Sequence, residues 1–518
     1  MASPRVGPRA GEPDSRTGLG WHGRLKHVLG RILPGTRKFG KAARETGTGV
    51  TFSAGLSCRR LVIGLLICGI SSSYVVLCTL RGPHAEMELY ALLARSLIQG
   101  KTSLPIEPRP ELLSLRNPYD PKANLPYRLH DASLYKDRYY LYFGIVPAVT
   151  LFVPYRFVTR LDLPNRAAVP VFCIAGYLTS YALFFLLAKH NRWLLPSWLQ
   201  CAIVLSLGTM SLVCLILRTP AFYQVPIAAG YFFVMAGFLT LARGIFVVHA
   251  AKRFLLAGLM FGMAVGCRPH FAVICGIVLV GFAVRARRSP ELVIAMAAGM
   301  AVCAVGLGWY NYVRFDDPLE FGRTYQLTQF SSRPGSTYYG LELNGRAGLR
   351  SAEKFLFQAP HVNTTSPFFH TVWIDPLLGR AGRPLWMEDM VGLIPAAPLA
   401  LLGFFMPLFL GRRRIANASL DGASLWLLKA MYWCGVAVFF ILCIVGWVIG
   451  RYLVDFAPLL IFVSVSLVAM LWQKIPPRPI RLVFSLGVGA ATIYGAAVDT
   501  ALATPRLDII LRFLRTGT

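Results

Sequence analysis

Two carboxylates stand two residues apart in His84-Ala85-Glu86-Met87-Glu88-Leu89-Tyr90, just after a long apolar run. A carboxylate at a membrane boundary, facing a cavity, can take a proton from a hydroxyl or hold a divalent cation; it can equally be an ordinary solvated loop acid. Three arginines stand at the ends of apolar runs: Arg218 before Thr219-Pro220, Arg268 before Pro269, and Arg451 before Tyr452. Singly, each reads as topological punctuation. Three on one side would suit an anion such as a lipid phosphate. Tyrosines crowd the stretch between Asn117-Pro118-Tyr119-Asp120-Pro121 and Tyr139-Tyr140-Leu141-Tyr142-Phe143-Gly144, around His130-Asp131. They fit an interfacial aromatic belt or a platform for pyranose rings, whose apolar faces stack on aromatic ones. Tyr90, Tyr135, Tyr139 and Tyr452 are the candidates for such contact. Asp455 lies one turn after Arg451 inside an apolar run and needs a partner there.

The elements that must position these residues are membrane-spanning helices. Of 518 residues, 55% are hydrophobic and only 15% charged, and the mean hydropathy is +0.54. One soluble core cannot hide so much apolar material. Runs of about 18–25 apolar residues are long enough to cross a bilayer. The predicted fold is an all-α membrane protein of about eleven spans: 61–80, 167–188, 198–217, 224–247, 254–267, 270–285, 291–312, 390–410, 428–449, 452–472 and 481–500. Two of them, 254–267 and 270–285, read as half-helices meeting at Arg268-Pro269.

The net charge is +29, but the basic residues form no single patch, so nucleic acid is not an expected partner. They occupy the N-terminal tail and short loops: Lys189-His190-Asn191-Arg192, Lys252-Arg253, Arg285 to Arg288, Arg412 to Arg414, and Lys474 to Arg481. With the N-terminus inside, all these loops fall on the cytoplasmic side, as the positive-inside rule requires. The C-terminus is then extracytoplasmic. This map holds if the stretch 141–158, interrupted by Gly144, Pro147 and Pro154, lies at the interface rather than crossing. Residues 1–58 form a basic, disordered tail, and 59–518 the multi-pass domain, with outer loops at 81–166 and 313–389. The expected location is a cell (inner) membrane. The eleven cysteines show no C-x-x-C spacing and read as apolar packing residues.

Four stretches resemble the polytopic glycosyltransferases that use polyprenyl-phosphate sugars, the GT-C superfamily. They are Glu86-Met87-Glu88-Leu89-Tyr90; Tyr135-Lys136-Asp137-Arg138-Tyr139-Tyr140-Leu141-Tyr142-Phe143-Gly144; Asn311-Tyr312-Val313-Arg314-Phe315-Asp316-Asp317-Pro318-Leu319-Glu320-Phe321-Gly322; and Gly450-Arg451-Tyr452-Leu453-Val454-Asp455-Phe456-Ala457-Pro458. The resemblance spans about 59–500 through short motifs in a shared order. It implies transfer of a sugar, with inversion, from a polyprenyl-phosphate donor to an acceptor on the extracytoplasmic side. The partners would be that donor, membrane lipids and a cell-envelope glycan, lipid or protein acceptor. Arg451, with Arg268, would hold the leaving phosphate, and Glu86 or Glu88 would be the base. The family's acid is most often aspartate; here the pair is Glu-x-Glu, and the choice between them stays open. A divalent cation at this pair is the one cofactor the residues could hold. The competing readings are a transporter or flippase of lipid-linked glycans, and an inactive scaffold of the same fold.

Sidedness is directly checkable. Cysteines introduced at positions 86 and 451 are expected to react with a membrane-impermeant maleimide added to the same face of intact vesicles. Labelling from opposite faces would refute the arrangement.

Overall fold

The computed structural model describes residues 49–79, 87–247, 250–328, 345–362, 369–370, 377–378, 384–385, 390–411, 420–445, 448–476 and 479–503. Most of the tail, and Glu86, lie outside the described residues. The chain divides into an N-terminal unit, Met1–Val62, and a body, Ile63–Thr518. The described part of the first unit is helical: it is the beginning of α1, Gly49–Thr79.

The body is helical. Its long elements are α1, α4 (Asn165–His190), α6 (Gln224–Phe246), α9 (Pro290–Phe315), α11 (Gly422–Val445) and α13 (Ile480–Ala503). These supply the six helices, among the described residues, that are long and apolar enough to cross a membrane. Between them lie shorter elements: α2 (Leu89–Ile98), α3 (Val153–Thr159), α5 (Ser197–Thr209), α7 (Ala251–Cys267), α8 (Ala272–Arg285), α10 (Gly345–Phe357) and α12 (Ala457–Trp472).

Local chemistry sets where these helices stop. Pro269 lacks an N–H and disfavours helical backbone in the residue before it. Arg268 is accordingly extended, at φ −143° and ψ 114°, and ends α7. α9 is capped by Ser289, carries Pro290 and Glu291 in its first turn and Arg314 in its last, and is followed by Asp316 in the left-handed region. That order matches the helix dipole and the usual terminal preferences.

Two expected spans are not single helices. The stretch 198–217 breaks after Thr209 and resumes only as Cys214–Leu217. Leu212 between them is left-handed at φ 59°, and Gly208 and Thr209 just before the break are weak helix formers. The stretch 390–410 is divided into Leu393–Ala396, Ala400–Phe404 and Met406–Gly411. Pro395, Pro398 and Pro407 each remove a backbone donor there. The stretch 141–158 contains a π-helical turn, Ala148–Phe152, leading into α3. Together they extend about 18 Å at 1.5 Å per residue, well short of the ~30 Å hydrocarbon core.

α7 packs closely because glycines let backbones touch. A Cβ on Gly258 would lie 2.0 Å from Met296 O, and one on Gly262 would lie 2.5 Å from Cys303 Cβ. Small residues spaced four apart are how helices approach in lipid, where no hydrophobic force distinguishes protein from solvent. The third glycine of the series, Gly266, meets the loop instead. A Cβ on Gly144 would lie 2.0 Å from Gly266 O and 2.8 Å from Cys267 O. The loop around Gly144 is therefore pressed against the end of α7, one residue before Arg268.

Contacts sort the helix ends of the body into two rims. One gathers His190 with Asp421 (3.2 Å), Asn191 with Ser424 (2.8 Å), Arg285 with the carbonyl of Gly422 (3.4 Å), and Trp198 against Trp472 (5.4 Å between ring centres). These are the ends that the basic loops flank. The opposite rim gathers Cys78 with Leu217 (3.5 Å), Arg268 with Asp455 (3.1 Å) and Arg314 with Leu141 (2.8 Å).

Overpacking the Gly144–Gly266 contact has a measurable consequence. Gly144→Ala is expected to lower stability by about 1–3 kcal/mol, seen as a lower midpoint in thermal unfolding of the detergent-solubilised protein. An unchanged midpoint would show that this loop is not pinned.

Candidate functional site

On the second rim the apolar helices carry a cluster of charge. Asp455 ends the 3-10 turn Gly450–Asp455 ahead of α12, and its side chain has no solvent exposure. Arg268 Nη2 lies 3.1 Å from Asp455 Oδ2, and His270 Nε2 lies 3.4 Å from the same oxygen. Neither approach has hydrogen-bond alignment, so this is an ion-pair contact in an apolar shell. A buried carboxylate tolerates such a position only with a cation beside it.

The same arginine lies over the ring of Tyr452, 4.6 Å from its centre. Arg451 approaches that ring at 5.8 Å and the ring of Tyr223 at 5.1 Å. The structure thus brings Arg268, Arg451 and Tyr452 together. Arg218 follows the Cys214–Leu217 turn on the same rim.

Above this group sits an antiparallel hairpin, β1 (Ala132–Tyr135) and β2 (Arg138–Leu141), in which Tyr135 pairs with Arg138. The two turn residues, Lys136 and Asp137, have φ 46° and 56°, the positive values of a two-residue type I′ turn. The middle motif after α9 holds the hairpin in place. Arg314, 3% exposed, donates to Leu141 O at 2.8 Å and to Asn311 Oδ1 at 2.6 Å. Ser133 donates to Gly322 O at 2.7 Å, and Gly322 is in the left-handed region at φ 93°. Glu320 takes the N–H of Gly322 and the hydroxyl of Thr324.

Immediately before β1, Asp131 is left-handed at φ 60°. Its N–H donates to Leu327 O at 2.9 Å. Its carboxylate accepts from the Tyr223 hydroxyl at Oδ2 and from Gln326 Nε2 at Oδ1, 3.1 Å away. His130 Nε2 is 3.4 Å from Oδ2. Asp131, Tyr223 and Tyr142 are site residues that sequence reasoning did not select. The half-buried Tyr142 phenol is pushed above its usual range, first by burial and then by Tyr452, while Arg323 and Arg268 oppose the rise and Asp131 adds to it. The signal available in sequence was the His130-Asp131 step before a tyrosine-rich stretch; Tyr223 stands in the short link between the runs 198–217 and 224–247, with nothing to mark it.

The remaining candidates fall elsewhere. Glu88 accepts the backbone N–H of Asn165 at 2.7 Å, at the first residue of α4, where an anion complements the helix dipole. Tyr90 is fully buried, stacked on Phe152, and donates to Gly144 O at 3.1 Å. Tyr139 is 2% exposed, and its hydroxyl accepts the N–H of Leu129. Both tyrosines pack the hairpin and α2. Tyr135 belongs to an outer aromatic group with Tyr325 (4.6 Å) and Phe315 (5.8 Å) and donates to Asp316 Oδ2 at 2.7 Å. Among the described residues no group of three or more His, Cys, Asp or Glu could hold a metal ion.

These features define a multi-pass, all-α membrane protein with a cationic, tyrosine-lined cluster on one rim. Comparisons with known proteins bear on the fold. No protein-family model and no curated protein sequence matches the chain. In structure it is similar to ArnT from Cupriavidus metallidurans bound to undecaprenyl phosphate, at 11% identity, covering 86% of this chain and 75% of that one, with a TM-score of 0.43. It is also similar to the Archaeoglobus fulgidus oligosaccharyltransferase in the apo form, at 14% identity, covering 86% of this chain and 58% of that one, with a TM-score of 0.38.

The hairpin's seat on α9 carries a pH signature. The Asp316 carboxyl is held below its usual range by the Lys136 ammonium and then by the Tyr135 hydroxyl. Its contribution is therefore present above the ordinary carboxylate pKa and lost as pH falls through the lowered one. Hydrogen bonding to Asp316 pushes the Tyr135 phenol up to about 12, so that contribution is present below the ordinary phenol pKa and fades as pH rises through about 12. Amide exchange at residues 135–138 should stay slow at neutral pH and quicken in acid. Asp316→Asn should flatten the acid limb; a wild-type profile flat in acid would contradict the assignment.

Proposed function

We propose that this chain is a membrane glycosyltransferase that moves a sugar from a polyprenyl-phosphate donor to an acceptor hydroxyl on the extracytoplasmic side, with inversion. The observation that carries the reading is the approach of two guanidinium groups, Arg268 and Arg451, to one tyrosine ring at a helix break. Guanidinium is planar, always charged and suited to phosphate oxygens. A donor phosphate at this rim would place its polyprenyl tail along the apolar helices and its sugar under the hairpin. The arginines would stabilise the charge that grows on the departing phosphate. Arg218 extends the cationic rim.

The sequence motifs support the same reading, because the arginine-tyrosine turn, the hairpin stretch and the motif after α9 meet on one rim. Transport is the weaker alternative. A transporter site is expected near mid-membrane between repeats, whereas the buried Asp455 lies at the start of a helix, on the rim. The acceptor follows as a cell-envelope glycan, lipid or protein, and the compartment as a cell (inner) membrane with the N-terminus cytoplasmic.

The test is a transfer assay with a polyprenyl-phosphate monosaccharide in proteoliposomes. Arg451→Gln and Arg268→Gln should each reduce turnover by about 10²–10³-fold, the usual effect of removing one group that stabilises transition-state charge. Full activity in both variants would end the proposal.

A further inference from the structure

We infer that Asp131 is the carboxylate that receives the acceptor's proton. The inference rests on the transferase reading and names a residue within that site. Three observations converge on it. First, Asp131 stands beside the arginine cluster: Tyr223 donates to its Oδ2, and Arg451 lies 5.1 Å from the centre of that same tyrosine ring. Second, its position is fixed from several directions. Its backbone is held by Leu327, its Oδ1 by Gln326 at 3.1 Å, and the hairpin that follows is seated on α9 through Arg314 and Ser133. A general base must be held within hydrogen-bond reach of the proton it takes, and fixed neighbours supply that preorganisation. Third, a carboxylate has about four acceptor sites; Tyr223, Gln326 and His130, 3.4 Å from Oδ2, occupy at most three of them, which leaves capacity for an incoming hydroxyl, and the side chain keeps 11% exposure.

Glu88 is placed differently. Its Oε2 closes the first turn of α4 by accepting the Asn165 N–H. That contact orders the loop where the first outer segment re-enters the helical body.

The step balances simply. The acceptor oxygen attacks the anomeric carbon as its proton passes to Asp131. The new carbon–oxygen bond forms while the bond from the anomeric carbon to the phosphate oxygen breaks. The electron pair leaves with the polyprenyl phosphate, beside Arg451 and Arg268. The proton on Asp131 then returns to solvent.

Asp131→Asn is the suitable variant, because asparagine tolerates the left-handed backbone at φ 60° as aspartate does, and its amide can keep both neighbours if Gln326 rotates. In proteoliposomes with a polyprenyl-phosphate monosaccharide, this variant should lose about 10²–10⁴-fold in kcat, the range for general acid–base catalysis. It should bind polyprenyl phosphate, followed by native mass spectrometry, as tightly as the wild-type protein. Tyr223→Phe separates a base from a positioning residue. It keeps the ring beneath Arg451 and removes only the hydroxyl, so it should cost under about 10-fold in kcat, far less than Asp131→Asn. Turnover by Asp131→Asn within a few-fold of wild type would overturn the inference while leaving the transferase reading intact. So would a Tyr223→Phe loss equal to that of Asp131→Asn, which would make Asp131 a support for Tyr223. Failure of the wild-type chain to transfer sugar or to bind polyprenyl phosphate would instead remove the transferase reading, and the base with it.

Discussion

A charge in an apolar setting dictates much of this molecule. The Asp455 side chain is wholly buried at the start of α12, where an uncompensated carboxylate would cost several kcal/mol. Arg268 answers it across a helix break. That answer is available only because Pro269 forces Arg268 out of the helix and into extended backbone, turning the side chain away from the α7 axis. Once there, the guanidinium also covers the ring of Tyr452. One ion pair thus ties the end of α7 to the start of α12 and sets the tyrosine between the two arginines.

The second half of the site comes from outside the helices and is fixed to them at their ends. Arg314 in the last turn of α9 takes hold of β2, Gly322 takes hold of β1, and the Gly144 backbone rests on Gly266 and Cys267. The loop that carries Asp131 is therefore referenced to the same two helices that carry Arg268 and the α9 motif. Loops placed this firmly are where site residues are found.

Much of this was legible in the residues. Hydropathy pointed to the helical membrane architecture. Arg268-Pro269 announced a broken helix, and Arg451-Tyr452 a tight turn. The hidden parts were hidden for physical reasons. Runs 198–217 and 390–410 are apolar enough to read as continuous spans, yet Leu212 turns left-handed in one and three prolines divide the other. The hairpin at 132–141 lacks the Asn-Gly pair that usually marks a type I′ turn. Its tyrosines suggested ring stacking, but Tyr139 and the neighbouring Tyr90 are interior, where aromatic bulk serves packing. Tyr223 reaches Asp131 from the turn ahead of α6, a contact between residues 92 apart that no local pattern encodes.

The rim opposite the site is joined by paired side chains from elements distant in the chain, from His190 and Asp421 to Trp198 and Trp472. Such fastening means that a change at any one of these side chains is felt by a helix far away in the chain, so this end of the bundle responds as a unit.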